Sequence, residues 1–333
     1  MNYKEEKNFI LLGGSQAILD LAKEIIKKNL ELLIVTEHLH LNERINEKGT
    51  LKDNLDSEGF EYIICDKMSK KLLEKYVKPE TIGLSICSVW VFKQDVIDLF
   101  QRRLYNIHGA RLPKHGGGGG YSWKILSQDN LGGFAIHKIE AGIDTGDIVS
   151  FKEFTFPPSC RIPQDYFDYA QKIENEILSD FLNVLISEKP LKPFKQMECF
   201  SSYWPRLNTE GNGYIDWQWS VENLELFINA FDDPYAGAMT FMNNKRVHLK
   251  KCFITKGEGS FHPFQAGIIF RKYNGNLFIA AMNGTIVVSN ICDDKEDDIF
   301  REIIVGDRLY TPRAYLEEAK KDRIIYNSKG VKE

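Results

Sequence analysis

The 333-residue sequence has no apolar run approaching the ~20 residues of a membrane-spanning helix, and its first residues, Met1 to Lys7, are charged rather than a signal peptide's apolar stretch. Neither a membrane protein nor a secreted one is expected, and the chain reads as cytoplasmic. Cysteine is sparse: Cys65, Cys87, Cys160, Cys199, Cys252 and Cys292 are widely spaced, with no C-x-x-C pair. That spacing signals neither a disulfide framework nor a zinc site, so buried thiols in a reducing compartment and no metal are expected. Positive charge is not in excess either. Forty-three Lys and Arg face forty-seven Asp and Glu, a net charge of −4, which offers no global field to a polyanion, so nucleic acid is not an expected partner. There is no internal repeat, and the one low-complexity element is Gly116 to Gly120.

What is present is a globular composition, 43% hydrophobic and 27% charged, which excludes disordered and collagen-like chains. At roughly 150 residues per domain the length predicts about two domains. The first hundred residues alternate β-type runs with helical patterns. Phe9 to Leu12 leads through Gly13-Gly14-Ser15 into Ile18, Leu21, Ala22, Ile25 and Ile26, the spacing of one buried helix face. Further runs cover Leu30 to Val35, Phe60 to Cys65, Thr81 to Ser88 and Leu104 to His108, with helical stretches near Leu72 to Tyr76 and Val96 to Phe100. This alternation predicts an α/β fold, a doubly wound and mostly parallel sheet. Ligands of such sheets bind beyond the carboxyl ends of the strands, so Gly13, the segment after Ser88, and Asn106 to Gly120 are expected to open on one edge. A long helix fits Gln164 to Ser187, and Lys189-Pro-Leu-Lys-Pro193 starts a linker. Beyond about residue 210, β-rich runs at Ala266 to Lys272, Leu277 to Met282 and Thr285 to Ile291, with turns at Asn274-Gly275 and Asn283-Gly284, predict a small barrel or sandwich and then a helix near Thr311-Pro312. The division is expected at residue 200, into 1–200 and 201–333.

Gly13-Gly14-Ser15 lacks both nucleotide-loop signatures and reads as a tight strand-to-helix turn. More informative is Asn106-Ile-His108, where an amide and an imidazole project from one face at the end of a predicted strand. Such a pair can donate to an oxygen that turns negative in acyl transfer and can move a proton; it can equally tie down loop backbone. About thirty-five residues on, Gly132 to Ile139 alternates as a strand and runs into a Gly-bounded loop carrying Asp144 and Asp147. A carboxylate there can orient a histidine, although Asp and Gly are also ordinary turn residues.

Taken together, Asn106-x-His108, Leu112-Pro113, Ser122-Trp123, His137 and Ile143-Asp-Thr-Gly-Asp-Ile148 resemble the folate-dependent formyltransferase family. Tyr203-Trp-Pro-Arg206, Ile215-Asp-Trp217, Phe227 to Ala238 and Gly306-Asp-Arg-Leu309 extend the resemblance through the linker and C-terminal barrel of methionyl-tRNA formyltransferases and nucleotide-sugar N-formyltransferases. The resemblance implies a Rossmann-like core with an OB-like C-terminal domain, and N10-formyltetrahydrofolate as co-substrate. The family's catalytic residues fall on Asn106, His108 and Asp144. Its pterin pocket falls on Ser88, Val89, Trp90, Val91 and Phe92 together with Ala141, Gly142, Ile143 and Asp147. One departure stands out: where many members carry a Tyr-Arg-Gly-like stretch after Leu-Pro, this chain has Lys114-His115 and five glycines. Candidate acceptor contacts are Arg111, Lys114, Gly116, Gly117, Tyr121 and Trp123.

Three acceptors are open: a nucleotide-linked deoxyamino sugar, as in surface-polysaccharide (lipopolysaccharide) members; methionyl-tRNA; or none, as in a hydrolase or non-catalytic folate-binding relative. Leu207 to Glu333 carries sixteen Lys and Arg against eighteen Asp and Glu, about −2, whereas a tRNA-binding barrel needs a cationic phosphate path. This favours the nucleotide sugar, with UDP or dTDP and a C3 or C4 amine both open. Nothing before residue 8 offers the extra N-terminal domain expected of a hydrolase, and all three polar residues expected of an active enzyme are present. An apolar barrel edge can serve a homodimer.

Overall fold

The structure is a computed structural model that describes residues 7–116, 120–187 and 189–323, and the backbone of 325–327 and 330–332. Strand β1 (Asn8–Gly13) is apolar at nearly every position and buried throughout. It turns through Gly13, whose φ of +122° suits glycine and where a Cβ would stand 2.1 Å from the Ile86 carbonyl oxygen. Helix α1 (Gln16–Lys27) follows, burying Ala17, Ile18, Leu21, Ala22 and Ile25 on the periodic face. After β2 (Glu31–Thr36) come a short helix α2 (His38–Asn42), a hairpin of β3 (Arg44–Asn46) and β4 (Gly49–Thr50), and α3 (Leu51–Glu58). A Thr50/Asp53 capping box starts α3, and left-handed Gly59 ends it. The chain continues through β5 (Tyr62–Ile64), α4 (Lys70–Leu73), β6 (Ile82–Ile86), α5 (Gln94–Leu99), β7 (Leu104–His108) and α6 (Gly120–Ser127). Two antiparallel strands, β8 (Leu131–Lys138) and β9 (Ile148–Thr155), complete the sheet, and α7 (Pro163–Ile186) packs back across α1.

The sheet order is β5-β2-β1-β6-β7-β8-β9, with the first five strands parallel. Chain order reverses between β1 and β6, so a crevice opens beyond their carboxyl ends. Register pairs Gly13 with Ile86 and Ile86 with Ile107, placing the ends of β1, β6 and β7 level. The loops after all three therefore share one rim, as the alternation predicts. One face of the sheet buries Ile10, Leu12, Val35, Trp90 and Phe92. The other buries Phe9, Leu11, Leu84 and Ile107 against α1 and α7. Each such aliphatic or aromatic side chain contributes about 1.5–3 kcal/mol relative to exposure.

The linker crosses the rim and leads through α8 (Thr209–Asn212) to α9 (Val221–Ala230). A six-stranded antiparallel sheet then forms from β10 (Ala238–Met242), β11 (Lys245–Thr255), β12 (Ile269–Tyr273), β13 (Asn276–Ala281), β14 (Gly284–Cys292) and β15 (Leu309–Tyr310), followed by α10 (Arg313–Ala319). Its order is β12-β13-β14-β11-β10-β15, and a bridge between Ile268 and Arg308 brings the two edges together, curling the sheet toward a barrel. A last hairpin, β16 (Ile325–Asn327) with β17 (Gly330–Lys332), ends the described chain. The long helix and the three C-terminal β runs lie where the periodicity puts them. The cysteines differ from expectation: Cys65 and Cys252 are buried, but Cys87 and Cys199 are exposed. Their places are set by the turns that carry them, Cys87 lying just past β6 with a φ of +53°. Among the described residues no helix is long and apolar enough to cross a membrane, and no group of three or more His, Cys, Asp and Glu could hold a metal ion.

Candidate active site

At the rim, the last residues of β7 face the loop that leaves β8. Register sets Asn106 opposite His137, and the Asn106 amide nitrogen lies 3.1 Å from His137 Nε2. His137 is buried, with Nδ1 2.9 Å from the Lys138 carbonyl oxygen. A carbonyl only accepts, so Nδ1 carries the proton and Nε2 presents its lone pair to an Asn106 N–H. The second Asn106 N–H remains available as a donor.

Asp144 is held in the left-handed region at φ +55° and approaches both histidines. One carboxylate oxygen lies 3.6 Å from His108 Nδ1 and the other 3.5 Å from His137 Nε2. The His108 and Asp144 side chains are only 17% and 14% exposed, so their interaction is screened far less than a surface pair. At 3.5–3.6 Å these separations are longer than hydrogen bonds. Four polar groups, an amide, two imidazoles and a carboxylate, thus meet at one point of the rim. The loop reaches this position through Gly146, where a Cβ would stand 1.9 Å from the Lys138 carbonyl oxygen; no other residue type lets the two backbones come so close.

The other sequence-derived candidates occupy distinct places. Of the segment after β6, Trp90 and Phe92 are buried in the core, Val89 and Val91 are half-buried, and Ser88 Oγ lies 2.9 Å from Ser85 Oγ. The Trp90 indole N–H is buried with no partner among the described residues. Across the rim, Ala141, Gly142 and Ile143 are exposed, and the Asp147 carbonyl accepts from the Lys138 N–H at 3.0 Å. An unpaired buried donor and an exposed backbone loop are thus the hydrogen-bonding features of these two segments.

Among the acceptor candidates, Arg111 is engaged elsewhere. Its guanidinium is 2.9 Å from Asp129 and 3.6 Å from Glu153, and Lys124 and His115 also approach Asp129, at 3.3 and 3.7 Å. Burial, with the Lys124 and Arg111 charges, lowers the pKa of His115 below its ordinary value. Trp123 donates to the Pro205 carbonyl at 2.7 Å and packs on Trp204. Tyr121 packs edge-on against Phe156 and Phe167, and burial pushes its hydroxyl pKa up. Lys114 is exposed; Gly116 hydrogen bonds through its N–H to the Ser202 carbonyl; Gly117 lies outside the described residues.

Three residues escaped the sequence reading. His137 matches a motif position but had no assigned role. Gln196, in the linker, donates to the carbonyls of Asp144 and Gly146 at 2.7 and 2.8 Å. Glu174 lies on the inner stripe of α7, four residues from buried Ala170 and Leu178, and burial raises its pKa to about 7. It interacts electrostatically with Cys87 and Tyr121 at the rim. A carboxylate in a helical core stripe carries no sequence signal apart from interrupting the apolar period.

The family model described as Formyl transferase matches residues 67–180, and that described as Formyl transferase, C-terminal domain, matches 208–299; together they cover more than half of the chain. Curated relatives include methionyl-tRNA formyltransferases of Ruminiclostridium cellulolyticum, 24% identical over 66% of this chain and 70% of that protein, and Geotalea uraniireducens, 23% identical over 60% and 61%. In the second case the match spans less than two thirds of the relative. Among solved structures, the fold is similar to that of WlaRD, a sugar 3N-formyl transferase in the presence of dTDP and 5-N-formyl-THF (TM-score 0.64, 19% identity, 85% of this chain and 97% of that one). It is also similar to the N-formyltransferase from Helicobacter canadensis in complex with folinic acid and dTDP-3-aminofucose (TM-score 0.63, 18% identity, 84% and 97%). With both family models matched in order and the rim built as described, this chain belongs to the formyl transferase family of enzymes.

Proposed function

We propose that the protein transfers a formyl group from N10-formyltetrahydrofolate to the amino group of a deoxyamino sugar linked to UDP or dTDP, a step in making surface glycoconjugates. The observation that carries the transfer chemistry is the convergence of Asn106, His137, His108 and Asp144 on one point of the rim. The folate co-substrate supplies the formyl carbon when bound; Ser88 to Phe92 on one side and Ala141 to Asp147 on the other would hold it, with the Trp90 N–H as a donor. The free Asn106 N–H stabilises the formyl oxygen as it gains negative charge. His108 takes the proton lost by the attacking amine, and Asp144 stabilises the resulting imidazolium. His137 fixes the Asn106 amide by accepting its other N–H, so the donor aimed at the substrate is set before substrate arrives.

The choice of acceptor is supported by how the C-terminal cations are used. Arg246 is paired with Glu210 at 2.8 Å and Asp294 at 2.6 Å, Lys250 with Asp233 at 2.7 Å, and Lys256 with Glu222 at 3.1 Å. Cations neutralised in this way do not form a path for a phosphate backbone. The relatives named as methionyl-tRNA formyltransferases keep that acceptor as the alternative. Free thiols, two of them exposed, suit a reducing compartment and a cytoplasmic reaction. We assign residues 1–200 to catalysis and 201–333 to the OB-like β-rich part.

The test is incubation with N10-formyltetrahydrofolate and a panel of UDP- and dTDP-linked 3- and 4-amino sugars, alongside charged initiator tRNA, scored by mass. Formylation of a nucleotide sugar is expected; transfer to tRNA alone would overturn the acceptor assignment. Asn106→Ala and Asp144→Ala should each keep the circular dichroism spectrum and lose roughly 100-fold or more in kcat. Normal rates in either variant would refute the catalytic assignment.

A further inference from the structure

The linker between the two parts of the chain runs along the rim and fastens to both loops of the site. Phe194 exchanges two backbone hydrogen bonds with Ile148, each 3.0 Å. The Ser202 N–H donates to the Pro113 carbonyl, the Ser202 carbonyl accepts from Gly116, and Ser202 Oγ accepts from the His115 N–H. Between these anchors one side chain turns inward. From Lys192 to Ser201, Gln196 is half-buried and the other nine residues are exposed.

A glutamine amide has two N–H donors, and Gln196 directs both at consecutive parts of one loop, the carbonyls of Asp144 and Gly146. Much of that loop faces solvent: Glu140 to Ile143 and Thr145 are exposed, Ile143 with 59% of its surface in solvent. Asp144 also sits in the left-handed region, which a non-glycine side chain adopts only when its surroundings impose it. The linker brings two donors to the carbonyls on either side of Thr145.

We propose that Gln196 is a positioning residue, whose amide holds the Asp144 to Gly146 turn so that the Asp144 carboxylate faces His108 and His137. The catalytic meaning of this rests on the function proposed above; the structural claim does not. Two variants separate the amide from its shape. Gln196→Ala removes the side chain, and Gln196→Glu keeps its size but puts acceptors opposite two carbonyl oxygens.

Hydrogen exchange of the peptide covering residues 140–147 reads the structural claim with no need for turnover. Both variants should exchange faster there by about tenfold or more, with the rest of the chain unchanged; parental exchange rates in this peptide would overturn the proposal. Kinetics read the positioning role. Displacing a catalytic group by a fraction of an ångström to one ångström costs on the order of 10–100-fold. kcat should fall by that factor in both variants, with acceptor KM within about twofold and the melting temperature nearly unchanged. In an Asp144→Ala background, Gln196→Ala should have no further effect on the residual rate, because its target is gone. A parental kcat in Gln196→Ala, or the same fold-loss in the Asp144→Ala background, would refute it. If instead Asp144→Ala itself turns over normally, the catalytic reading of the rim fails, and the exchange result still decides the role of Gln196.

Discussion

Glu174 provides a test of the electrostatics of the rim that does not depend on substrate. Its carboxyl lies on the inner stripe of α7, makes no hydrogen bond among the described residues, and has its pKa raised from an ordinary 4.5 to about 7 by burial alone. The folded state therefore holds the proton more tightly than the unfolded one. Between pH 4.5 and 7 the native protein binds more protons than the denatured chain, so stability falls as pH rises through that window and levels off above it. At ~1.36 kcal/mol per pH unit the carboxylate costs about 3 kcal/mol above pH 7 and nothing below pH 4.5. Glu174→Gln replaces it with a neutral group of the same shape. The variant should match the parent at pH 4.5 and be more stable at pH 8, by up to about 3 kcal/mol. For a unit of 150–250 residues that corresponds to a melting temperature higher by about 6–12 °C. Thermal denaturation followed by circular dichroism at both pH values is sufficient. A variant whose difference from the parent is the same at pH 4.5 and pH 8, or one less stable at pH 8, would show that the carboxyl has a partner or is well solvated.

Three further outcomes are expected. Gly146→Ala cannot place its Cβ beside the Lys138 carbonyl, so the bond between the Lys138 N–H and the Asp147 carbonyl must yield, costing about 1–3 kcal/mol and most of the turnover; unchanged melting and kcat would refute the close approach. Arg111→Ala removes a partner of Asp129 and should lower stability by about 1–3 kcal/mol while leaving acceptor KM within about twofold; a tenfold rise in KM at unchanged stability would return Arg111 to the acceptor site. Because Arg246, Lys250 and Lys256 are paired with carboxylates, acceptor KM should change by less than about tenfold between 50 and 200 mM salt; a change on the order of 1000-fold would signal several phosphate contacts and an RNA acceptor.

The alternation of Phe9 to Leu12, Leu30 to Val35 and Leu104 to His108 with amphipathic stretches was legible because buried parallel strands and one-faced helices each leave a period. Helices α2, α3 and α9 were not read. α2 is only five residues long, α3 depends on its cap rather than an apolar stripe, and α9 lies within an aromatic-rich run that has more than one reading. Strands β10 and β11 also went unread, their alternation being masked by the Lys and Arg of β11. That Asn106, His108 and Asp144 come together was legible from short motifs, since strand ends and Gly-bounded loops limit where such side chains point. Arg111 shows the limit of that reasoning: a cation next to a motif suggests a ligand, but only the fold brings Asp129 and Glu153 to it.

The linker illustrates the same limit from the other side. Lys189 to Arg206 has neither helical nor strand period, and its apolar residues Phe194, Met197, Phe200 and Tyr203 are more than half exposed, so in sequence it reads as a connector. In the fold it supplies hydrogen-bond partners to the backbone of Pro113, His115 and Gly116 on one loop and of Ile148 beside the other, with the Gln196 amide between them. One of these loops leads into the sequence run Gly116 to Gly120, and the other carries a non-glycine residue at positive φ. A chain cut at the linker is therefore expected to lose these hydrogen bonds to both loops even with Asn106, His108 and Asp144 in place.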